Sequence, residues 1–191
     1  MGMDEKTLWD KKHEERSHSS LEPDPFLVGA YGEFLAGQLP GTALDIAGGV
    51  GRHSIWLAQH SWRVKLLDIS EIGIQQAEEN AKRTGTAGSI STQICDLNST
   101  QDLGRQQYDL VIVFFFLQRE LFPALDAAIK PGGLLIYKTY TTEQKNFAGG
   151  PNHPMFLLEP NELLRAFSSL RVLHYHETIQ QKGVAELVAR K

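Results

Sequence analysis

The fold is decided by the stretch Ala43-Leu44-Asp45-Ile46-Ala47-Gly48-Gly49-Val50-Gly51-Arg52-His53-Ser54. A short apolar run leads into a glycine-rich turn, and the residues after the turn begin an amphipathic helical pattern. Glycines let the backbone approach a ligand closely, and a helix N-terminus offers N–H groups without partners inside the helix. A second apolar run ends at Asp68, where a carboxylate can accept hydrogen bonds from a ribose diol. The pattern predicts a nucleoside-binding α/β sheet.

Two kinds of nucleoside cofactor fit such a turn. The dinucleotide-binding turn reads G-x-G-x-x-G/A, and Gly49-x-Gly51 is followed here by Ser54 at the place of the last small residue. Asp45 precedes the glycines, and its carboxylate would repel a pyrophosphate but attract an ammonium group. S-adenosylmethionine has an ammonium and a sulfonium and no phosphate, so the charges favour it over NAD.

Five segments of the chain resemble, in order, the motifs of the class I S-adenosylmethionine-dependent methyltransferases. They are Asp45-Ile46-Ala47-Gly48-Gly49-Val50-Gly51, Leu67-Asp68-Ile69-Ser70, Cys95-Asp96-Leu97, Tyr108-Asp109-Leu110-Val111-Ile112 and Lys130-Pro131-Gly132-Gly133. Ala47 departs from the pattern, because the family usually has its first glycine there and alanine disfavours a positive φ. The likeness is nearest to the small tellurite-resistance-type and uncharacterised methyltransferases, as indicated by Leu8-Trp9-Asp10, Pro25-Phe26-Leu27 and residues 115–119.

The succession of apolar runs predicts a single Rossmann-like, doubly wound α/β fold with a mainly parallel seven-stranded sheet. We predict strands at 43–47, 63–68, 90–95, 108–116, 134–140, 171–179 and 184–190, and helices at 26–39, 51–60, 71–83, 119–130 and 160–168. The last two strands should form a C-terminal antiparallel hairpin, and 141–158 a long connector. Residues 1–40 should supply an N-terminal helical lid and the first helix of the domain whose cofactor-binding part is 41–191.

The resemblance also implies roles for individual residues. The loop from Ala47 to Gly51 would pack against the methionyl part of the cofactor, with Asp45 under its ammonium and Asp68 on its ribose hydroxyls. For the adenine, the implied contacts are Ile69, Asp96 and Leu97. The expected cofactor-binding set is Asp45, Ala47, Gly48, Gly49, Gly51, Arg52, Asp68, Ile69, Asp96, Leu97 and Phe114. Candidates to pair with the cofactor carboxylate are Arg52 and, on the N-terminal segment, Lys11 or Arg16.

Methyl transfer from a sulfonium needs alignment of donor and acceptor more than it needs a catalytic side chain. The leaving group is already activated, so catalysis can come from positioning, and a general base is needed only for an acceptor that keeps its proton. The sequence therefore leaves the catalytic residue unknown. Candidates on the acceptor side are Gln118, Arg119, Tyr140 and His153. We expect a small-molecule acceptor, such as a thiol, a metalloid or a metabolite, and S-adenosylhomocysteine as the second product.

Composition excludes several classes of protein. The 191 residues are 41% hydrophobic and 22% charged, and the net charge of −4 argues against broad nucleic-acid binding. A single cysteine excludes a cysteine-based zinc cluster, and we predict no metal. No apolar run approaches the ~20 residues that span a bilayer, so we expect no membrane association. A cytoplasmic monomer or homodimer is expected.

Three other functions stay open at this stage. The fold could serve RNA or protein methylation, although the asparagine-proline-proline-aromatic motif used for amino-group methylation is absent after the fourth strand. The chain could bind S-adenosylmethionine without transferring its methyl group. An NAD-dependent oxidoreductase is disfavoured by Asp45, Ser54 and the spacing of the glycines.

Overall fold

A computed structural model describes residues 5–15, 20–99 and 102–191. The helices in these ranges are α1 (Glu5–Glu15), α2 (Pro25–Phe34), α3 (Arg52–Gln59), α4 (Glu71–Arg83), α5 (Phe122–Ala128) and α6 (Glu162–Ala166). The strands are β1 (Thr42–Ile46), β2 (Arg63–Asp68), β3 (Ile90–Ile94), β4 (Tyr108–Phe114), β5 (Ile129–Tyr140), β6 (Arg171–Thr178) and β7 (Val184–Arg190). No helix among these is long and apolar enough to cross a membrane.

The strands follow the order β3-β2-β1-β4-β5-β7-β6 in one seven-stranded sheet. Strands β1, β2 and β3 pair in parallel, and so do β4 and β5. Strand β7 is antiparallel to both β5 and β6, which makes the last two strands a hairpin with β7 on the inner side. The mainly parallel seven-stranded sheet, its C-terminal antiparallel hairpin and the helical N-terminal segment are therefore confirmed.

The first of two compact units is Met1–Thr100. Its strand register pairs Ile46 with Leu67 and Asp68 with Ile94, so the carboxyl ends of β1, β2 and β3 lie at one edge. Leu66 is fully buried and contacts Ile74 of α4, which covers this part of the sheet. The glycine turn after β1 and the acidic end of β2 are thus brought to the same edge.

The second unit is Gln101–Lys191. The four central residues of β4, Leu110 to Val113, are completely buried, as predicted from a run without polar alternation. Phe114 at the end of β4 is in register with Lys138 of β5, so the carboxyl ends of these two strands also share an edge. The hairpin places Leu187 between Tyr137 of β5 and Tyr175 of β6.

Two predicted elements are shorter in the structure because a residue adopts left-handed backbone. The predicted helix 26–39 corresponds to α2, which ends at Phe34 rather than 39. Gly37 then turns the chain with a φ of 90°. Strand β4 ends at Phe114 rather than 116, because Phe115 has a φ of 57°. The Phe115 N–H donates to the Lys138 carbonyl at 2.7 Å, which holds this bend against β5.

The predicted helix 119–130 is also wrong in extent. Arg119–Leu121 is a 3₁₀ turn, α5 is confined to Phe122–Ala128, and β5 begins at Ile129 instead of 134. Ile129 pairs with Tyr108 of β4. The glycines that were read as a turn before the strand stay within it, because their backbone exchanges hydrogen bonds with Lys191 at 2.8 and 3.0 Å.

The connector 141–158 is more ordered than an irregular loop. It contains two 3₁₀ helices, Thr142–Asn146 and Pro154–Phe156. The buried Gln144 side chain fastens it by donating to the Gly149 carbonyl at 2.8 Å and accepting the Gly183 N–H at 3.0 Å. Helix α6 begins at Glu162 rather than 160, because Asn161 before it has left-handed backbone.

Candidate functional site

The turn between β1 and α3 is built from left-handed backbone. Ala47, Gly49 and Gly51 have φ angles of 54°, 53° and 82°. The Gly48 N–H donates to the Leu67 carbonyl of the neighbouring strand at 3.1 Å, which ties the turn to the end of β2. Only glycine adopts positive φ without cost, so Ala47 is held in a strained conformation by its surroundings. The sequence pattern identified Ala47 as the departure, and the structure places it in the conformation that glycine favours.

Asp45 lies directly beneath this turn. Its side chain is buried and accepts a hydrogen bond from Ser54 Oγ at 2.7 Å. A Cβ atom at Gly48 would come within 2.9 Å of the Asp45 carboxyl, so a glycine is required for the turn to close over this group. Burial raises the pKa of Asp45 to about 7, reinforced by the nearby charge of Asp68 and opposed by Ser54 and Arg52.

Asp68 forms the second acidic group at the same edge. Its Oδ2 accepts the Gly49 N–H at 2.7 Å and its Oδ1 accepts the Ser70 N–H at 2.9 Å. Burial raises the pKa of Asp68, although these two N–H groups and the nearby His13 oppose the shift. Each carboxylate oxygen has two lone pairs, so both can still accept a hydroxyl.

Helix α1 is attached beside Asp68. Its Asp10 accepts from Ser70 Oγ at 2.6 Å and from the Ile72 N–H at 3.3 Å at the start of α4. Burial raises the pKa of Asp10, but the hydrogen bonds from Ser70 and from Lys6, which lies 2.9 Å away, outweigh it and leave the pKa below its ordinary value. Helix α1 therefore carries acidic and basic side chains to the edge of the first unit where β1, β2 and β3 end.

The remaining predicted residues of the first unit lie around the same strand ends. Ile69 is half-buried and Leu97 is buried, and Arg52, the first residue of α3, lies close enough to Asp45 to oppose the rise in the pKa of that carboxyl. Asp96 is exposed in the turn after β3, where its Oδ1 accepts the Asn98 N–H at 2.9 Å. The structure thus brings the predicted residues from 45 to 97 to one edge.

The predicted residues of the second unit separate into two groups. Phe114 and Tyr140 lie at the carboxyl ends of β4 and β5, whereas Gln118 follows the bend after β4. Arg119 forms a fork on Glu162 at 2.6 and 2.9 Å and also donates to two connector carbonyls. His153 is exposed, and its Nδ1 accepts the Met155 N–H at 3.3 Å. The acceptor-side roles of Gln118, Arg119, Tyr140 and His153 and the cofactor-binding role of Phe114 stay predictions.

Tyr140, one of the acceptor-side candidates, pairs with Phe115 near a buried charge at the carboxyl ends of β4 and β5. The rings of Phe115 and Tyr140 lie 5.1 Å apart between centroids. Beneath them Lys138 is 4% exposed and its Nζ is 2.9 Å from Glu186 Oε1. The Lys138 ammonium is 5.8 Å from the Phe115 ring centroid, within range of a cation–π contact. The alternation of β5 could have revealed Lys138, since it shares a face with Tyr140.

The polar groups of the first unit fit S-adenosylmethionine better than a dinucleotide. The two side chains at the turn, Asp45 and Asp68, are carboxylates, which accept hydrogen bonds and attract cations. An ammonium and two ribose hydroxyls satisfy such acceptors, whereas a pyrophosphate would add negative charge to two buried carboxylates. Among the residues that the structure describes, no group of three or more His, Cys, Asp or Glu could hold a metal ion.

Residues 43–133 match a family of proteins described as the methyltransferase domain. Over this part of the chain, just under half of its length, the sequence is similar to a methyltransferase domain. Among curated proteins, it is 37% identical over 51 residues to the ribosomal RNA small subunit methyltransferase C of Alcanivorax borkumensis. That match covers 27% of this chain and only 16% of the relative.

Solved structures of methyltransferases have the same fold as this domain. An S-adenosylmethionine-dependent methyltransferase from Aquifex aeolicus has a TM-score of 0.70 and 18% identity, covering 99% of both chains. TehB from Haemophilus influenzae has a TM-score of 0.74 and 16% identity, covering 96% of this chain and 67% of its own. The predicted resemblance to this class and to its tellurite-resistance type is confirmed.

Three side chains of the first unit were missed by sequence reasoning. Ser54 was read only as a mismatch to the dinucleotide pattern, but its hydroxyl binds Asp45. Asp10 and His13 lie one turn apart on α1 and so share a face of that helix. Only their helical spacing in the sequence could have indicated this. Of the predicted partners for the cofactor carboxylate, Arg16 falls outside the described residues, and Lys11 is exposed with its Nζ 3.9 Å from Glu15.

Proposed function

We propose that this protein transfers a methyl group from S-adenosylmethionine to a small molecule. The observation that carries the proposal is the glycine turn closed over two buried carboxylates, Asp45 and Asp68, one at the end of each neighbouring strand. This arrangement suits the ammonium and the ribose of the cofactor.

The proposed mechanism depends on alignment. S-adenosylmethionine supplies a methyl group that is activated by its bond to a positively charged sulfur. The two carboxylate oxygens of Asp68 would accept hydrogen bonds from the ribose hydroxyls. The Asp45 carboxylate, beneath the turn, would attract the ammonium. Fixing both ends of the cofactor restricts the direction of the methyl group, and such restriction accounts for much of the catalysis in a bimolecular displacement.

The acceptor side supports a small, partly apolar substrate. Phe115 and Tyr140 present an aromatic surface at the carboxyl ends of β4 and β5, and Gly150 of the connector lies against Tyr140, where a Cβ would be 3.2 Å from its ring. The strain stored in the positive φ of Phe115 is typical of ligand-binding positions. A thiol or another soft, weakly hydrated group would fit such a surface.

RNA methylation is the second candidate. It is favoured by the 51-residue similarity to a ribosomal RNA methyltransferase. The net charge of −4 opposes it, because RNA binding depends on clustered basic side chains that contact phosphates. A protein that binds the cofactor without transferring its methyl group is the third candidate.

The test is a turnover assay that measures formation of S-adenosylhomocysteine. The protein is incubated with S-adenosylmethionine and one acceptor at a time: aromatic and aliphatic thiols, selenite and tellurite, small metabolites, and unmodified ribosomal RNA. The Asp68→Ala variant is the control for turnover by a contaminant. We expect turnover with a thiol or another small acceptor and none with RNA.

Each other result points to a different function. Turnover with RNA alone would replace the proposal by the second candidate. Binding of S-adenosylhomocysteine without turnover on any acceptor would support the third. A further comparison concerns Tyr140→Leu, which should raise the KM of the acceptor severalfold without changing the affinity for S-adenosylhomocysteine, whereas His153→Ala should change neither.

A further inference from the structure

The imidazole of His13 lies between two glycines of the first unit. A Cβ atom at Gly49, in the turn after β1, would be 3.2 Å from His13 Cε1. A Cβ atom at Gly73, in the first turn of α4, would be 3.1 Å from His13 Cδ2. Both positions are tighter than ordinary van der Waals contact, so the absence of a side chain at Gly49 and Gly73 makes room for this ring. A histidine is thus seated directly against the glycine turn.

The ring is held there by contacts along α1. Gln76 of α4 donates to the His13 carbonyl at 3.2 Å, and Asp10 one turn earlier is bound to Ser70 Oγ at 2.6 Å. The Trp9 ring also lies near it, with its centroid 6.1 Å from that of His13. These contacts and hydrogen bonds of α1 hold the imidazole against the turn.

The charges around the turn call for a donor at this place. Asp45 and Asp68 are both acidic, and they suit the ammonium and the ribose of the cofactor. The amino-acid end of S-adenosylmethionine also has a carboxylate, which two buried acidic groups would repel unless a donor faced it. His13 lies close enough to Asp68 to oppose the rise in its pKa, so the imidazole is at the acidic edge itself.

We propose that His13 binds the carboxylate at the amino-acid end of S-adenosylmethionine, a role that rests on the proposed function. The imidazole donates an N–H to that carboxylate, and the groove formed by Gly49 and Gly73 sets its position. Arg52 and Lys11 were the sequence-based candidates for this role. Lys11 is directed to Glu15, and Arg52 acts on Asp45, whereas His13 is the donor seated against Gly49.

The test compares two ligands that differ at the amino-acid end. S-adenosylhomocysteine has that end, and 5′-methylthioadenosine has the same nucleoside without it. Affinities are measured by calorimetry for the wild type, for His13→Ala and for Glu14→Ala, an exposed neighbour on α1 that serves as the control. We expect His13→Ala to weaken S-adenosylhomocysteine about tenfold or more, as for a lost hydrogen bond to a charged group. Its affinity for 5′-methylthioadenosine should stay within about twofold.

A second variant displaces the ring without removing it. Gly73→Ala places a methyl group against His13 and lies outside the proposed cofactor contacts. It should reproduce the selective loss, and adding it to His13→Ala should cause no further loss, because two changes that act through one contact are not additive. Equal weakening of both ligands by His13→Ala would overturn the proposal in favour of a structural role. No weakening would overturn it in favour of Arg52. Failure of the wild type to bind S-adenosylhomocysteine would instead refute the proposed function.

Discussion

Asp45 and Asp68 concentrate negative charge beneath a short backbone turn. Both side chains are nearly inaccessible to water, and burial raises the pKa of each. Burying two carboxylates this close together costs free energy, which their hydrogen bonds only partly offset. We infer that the two carboxylates lower the unfolding free energy of the protein without ligand. A bound cation would offset this destabilisation, and the same charges would increase its affinity.

Asp45 should make the stability of the protein depend on pH. Its pKa is about 7 in the folded state, whereas an unfolded aspartate titrates near ~3.9. The folded state therefore holds a proton that the unfolded state has released, and stability falls as pH rises from about 4 to 7. The Asp45→Asn variant has no carboxyl to titrate at this position, so it does not lose stability for this reason as the pH rises. We expect its melting temperature to exceed that of the wild type by several degrees at pH 8.5 and by much less at pH 5.

The control for that comparison is Asp102→Asn, because Asp102 is exposed and its carboxylate also accepts a backbone N–H. Its melting temperature relative to the wild type should not change between the two pH values in this way. A difference between Asp45→Asn and the wild type that is the same at pH 5 and pH 8.5 would contradict the burial argument.

Asp68→Ala should weaken S-adenosylhomocysteine binding by more than tenfold. The variant loses both ribose contacts, and a hydrogen bond to a charged group is worth about 1.5–3 kcal/mol. Calorimetry on the wild type, Asp68→Ala and the matched Asp102→Ala measures this effect. Unchanged affinity in Asp68→Ala would refute the assignment of the ribose site.

The residues of the turn could be predicted from the sequence because glycine spacing and strand-end acids are local features. Ala47 and Gly49 have the positive φ that the pattern requires, and Asp45 and Asp68 lie at adjacent strand ends. His13 could not be predicted, because its position depends on the packing of α1 against a helix that lies some sixty residues later in the chain. Long-range packing of this kind leaves no periodicity in the sequence.

Helix α1 is the element whose position should respond most to the cofactor. Its contacts with the first unit include polar ones made by Asp10 and by the His13 carbonyl, and none of its residues is fully buried. Elements held by few apolar contacts open at low free-energy cost. We propose that α1 acts as a lid that the bound cofactor stabilises.

This lid predicts ligand-dependent proteolysis. Saturating S-adenosylhomocysteine should slow tryptic cleavage after Lys11 and Lys12 severalfold, because the bound amino-acid end adds a contact to His13 on the same helix. Cleavage sites are identified by mass spectrometry, with exposed Lys182 in the β-hairpin turn as the internal control. Equal cleavage rates with and without ligand would argue against the lid.

Arg119 links the connector to α6. Arg119 binds Glu162 through two hydrogen bonds and also donates to the carbonyls of Met155 and Leu157. Arg119→Ala should therefore increase hydrogen exchange across 154–158, whereas Arg165→Ala, one turn into α6, should have little effect there. If exchange in 154–158 is the same in Arg119→Ala and the wild type, the connector is held by other contacts.

The type and order of the elements could be predicted from the sequence, but several of their ends could not. Buried β4 and the hairpin β6–β7 follow from apolar runs and a turn signal. The end of β4 could not be predicted, because Phe115 leaves the strand only where its N–H meets Lys138. The start of β5 was missed for the same reason, since the pairing of its glycines with Lys191 overrides their local preference for a turn.

At the scale of the whole molecule, cofactor binding should raise thermal stability. A ligand at 100 times its Kd adds about 2.7 kcal/mol to the unfolding free energy. For a chain of 191 residues each ~1 kcal/mol corresponds to about 2–4 °C, so we expect an upward shift of about 5–10 °C with S-adenosylhomocysteine. NAD at the same concentration should cause no shift, and equal shifts with both ligands would indicate a general adenine site.

The charge of the whole molecule bears on its acceptor. A net charge of −4 gives no general attraction to a polyanion. We therefore expect the charge of the whole molecule, rather than a single side chain, to disfavour RNA relative to a small acceptor. Sequence and fold together indicate a methyltransferase-like domain and suit S-adenosylmethionine as its cofactor. We expect the choice of acceptor to depend on the shape of the surface around Phe115 and Tyr140, which no local pattern encodes.

The most direct test of the central claim, that the turn above Asp45 and Asp68 binds S-adenosylmethionine, is a calorimetric titration of the wild-type protein with S-adenosylhomocysteine, with NAD as the control. We predict micromolar binding of S-adenosylhomocysteine at one site per chain and no binding of NAD. Absence of S-adenosylhomocysteine binding, or comparable binding of NAD, would contradict the account.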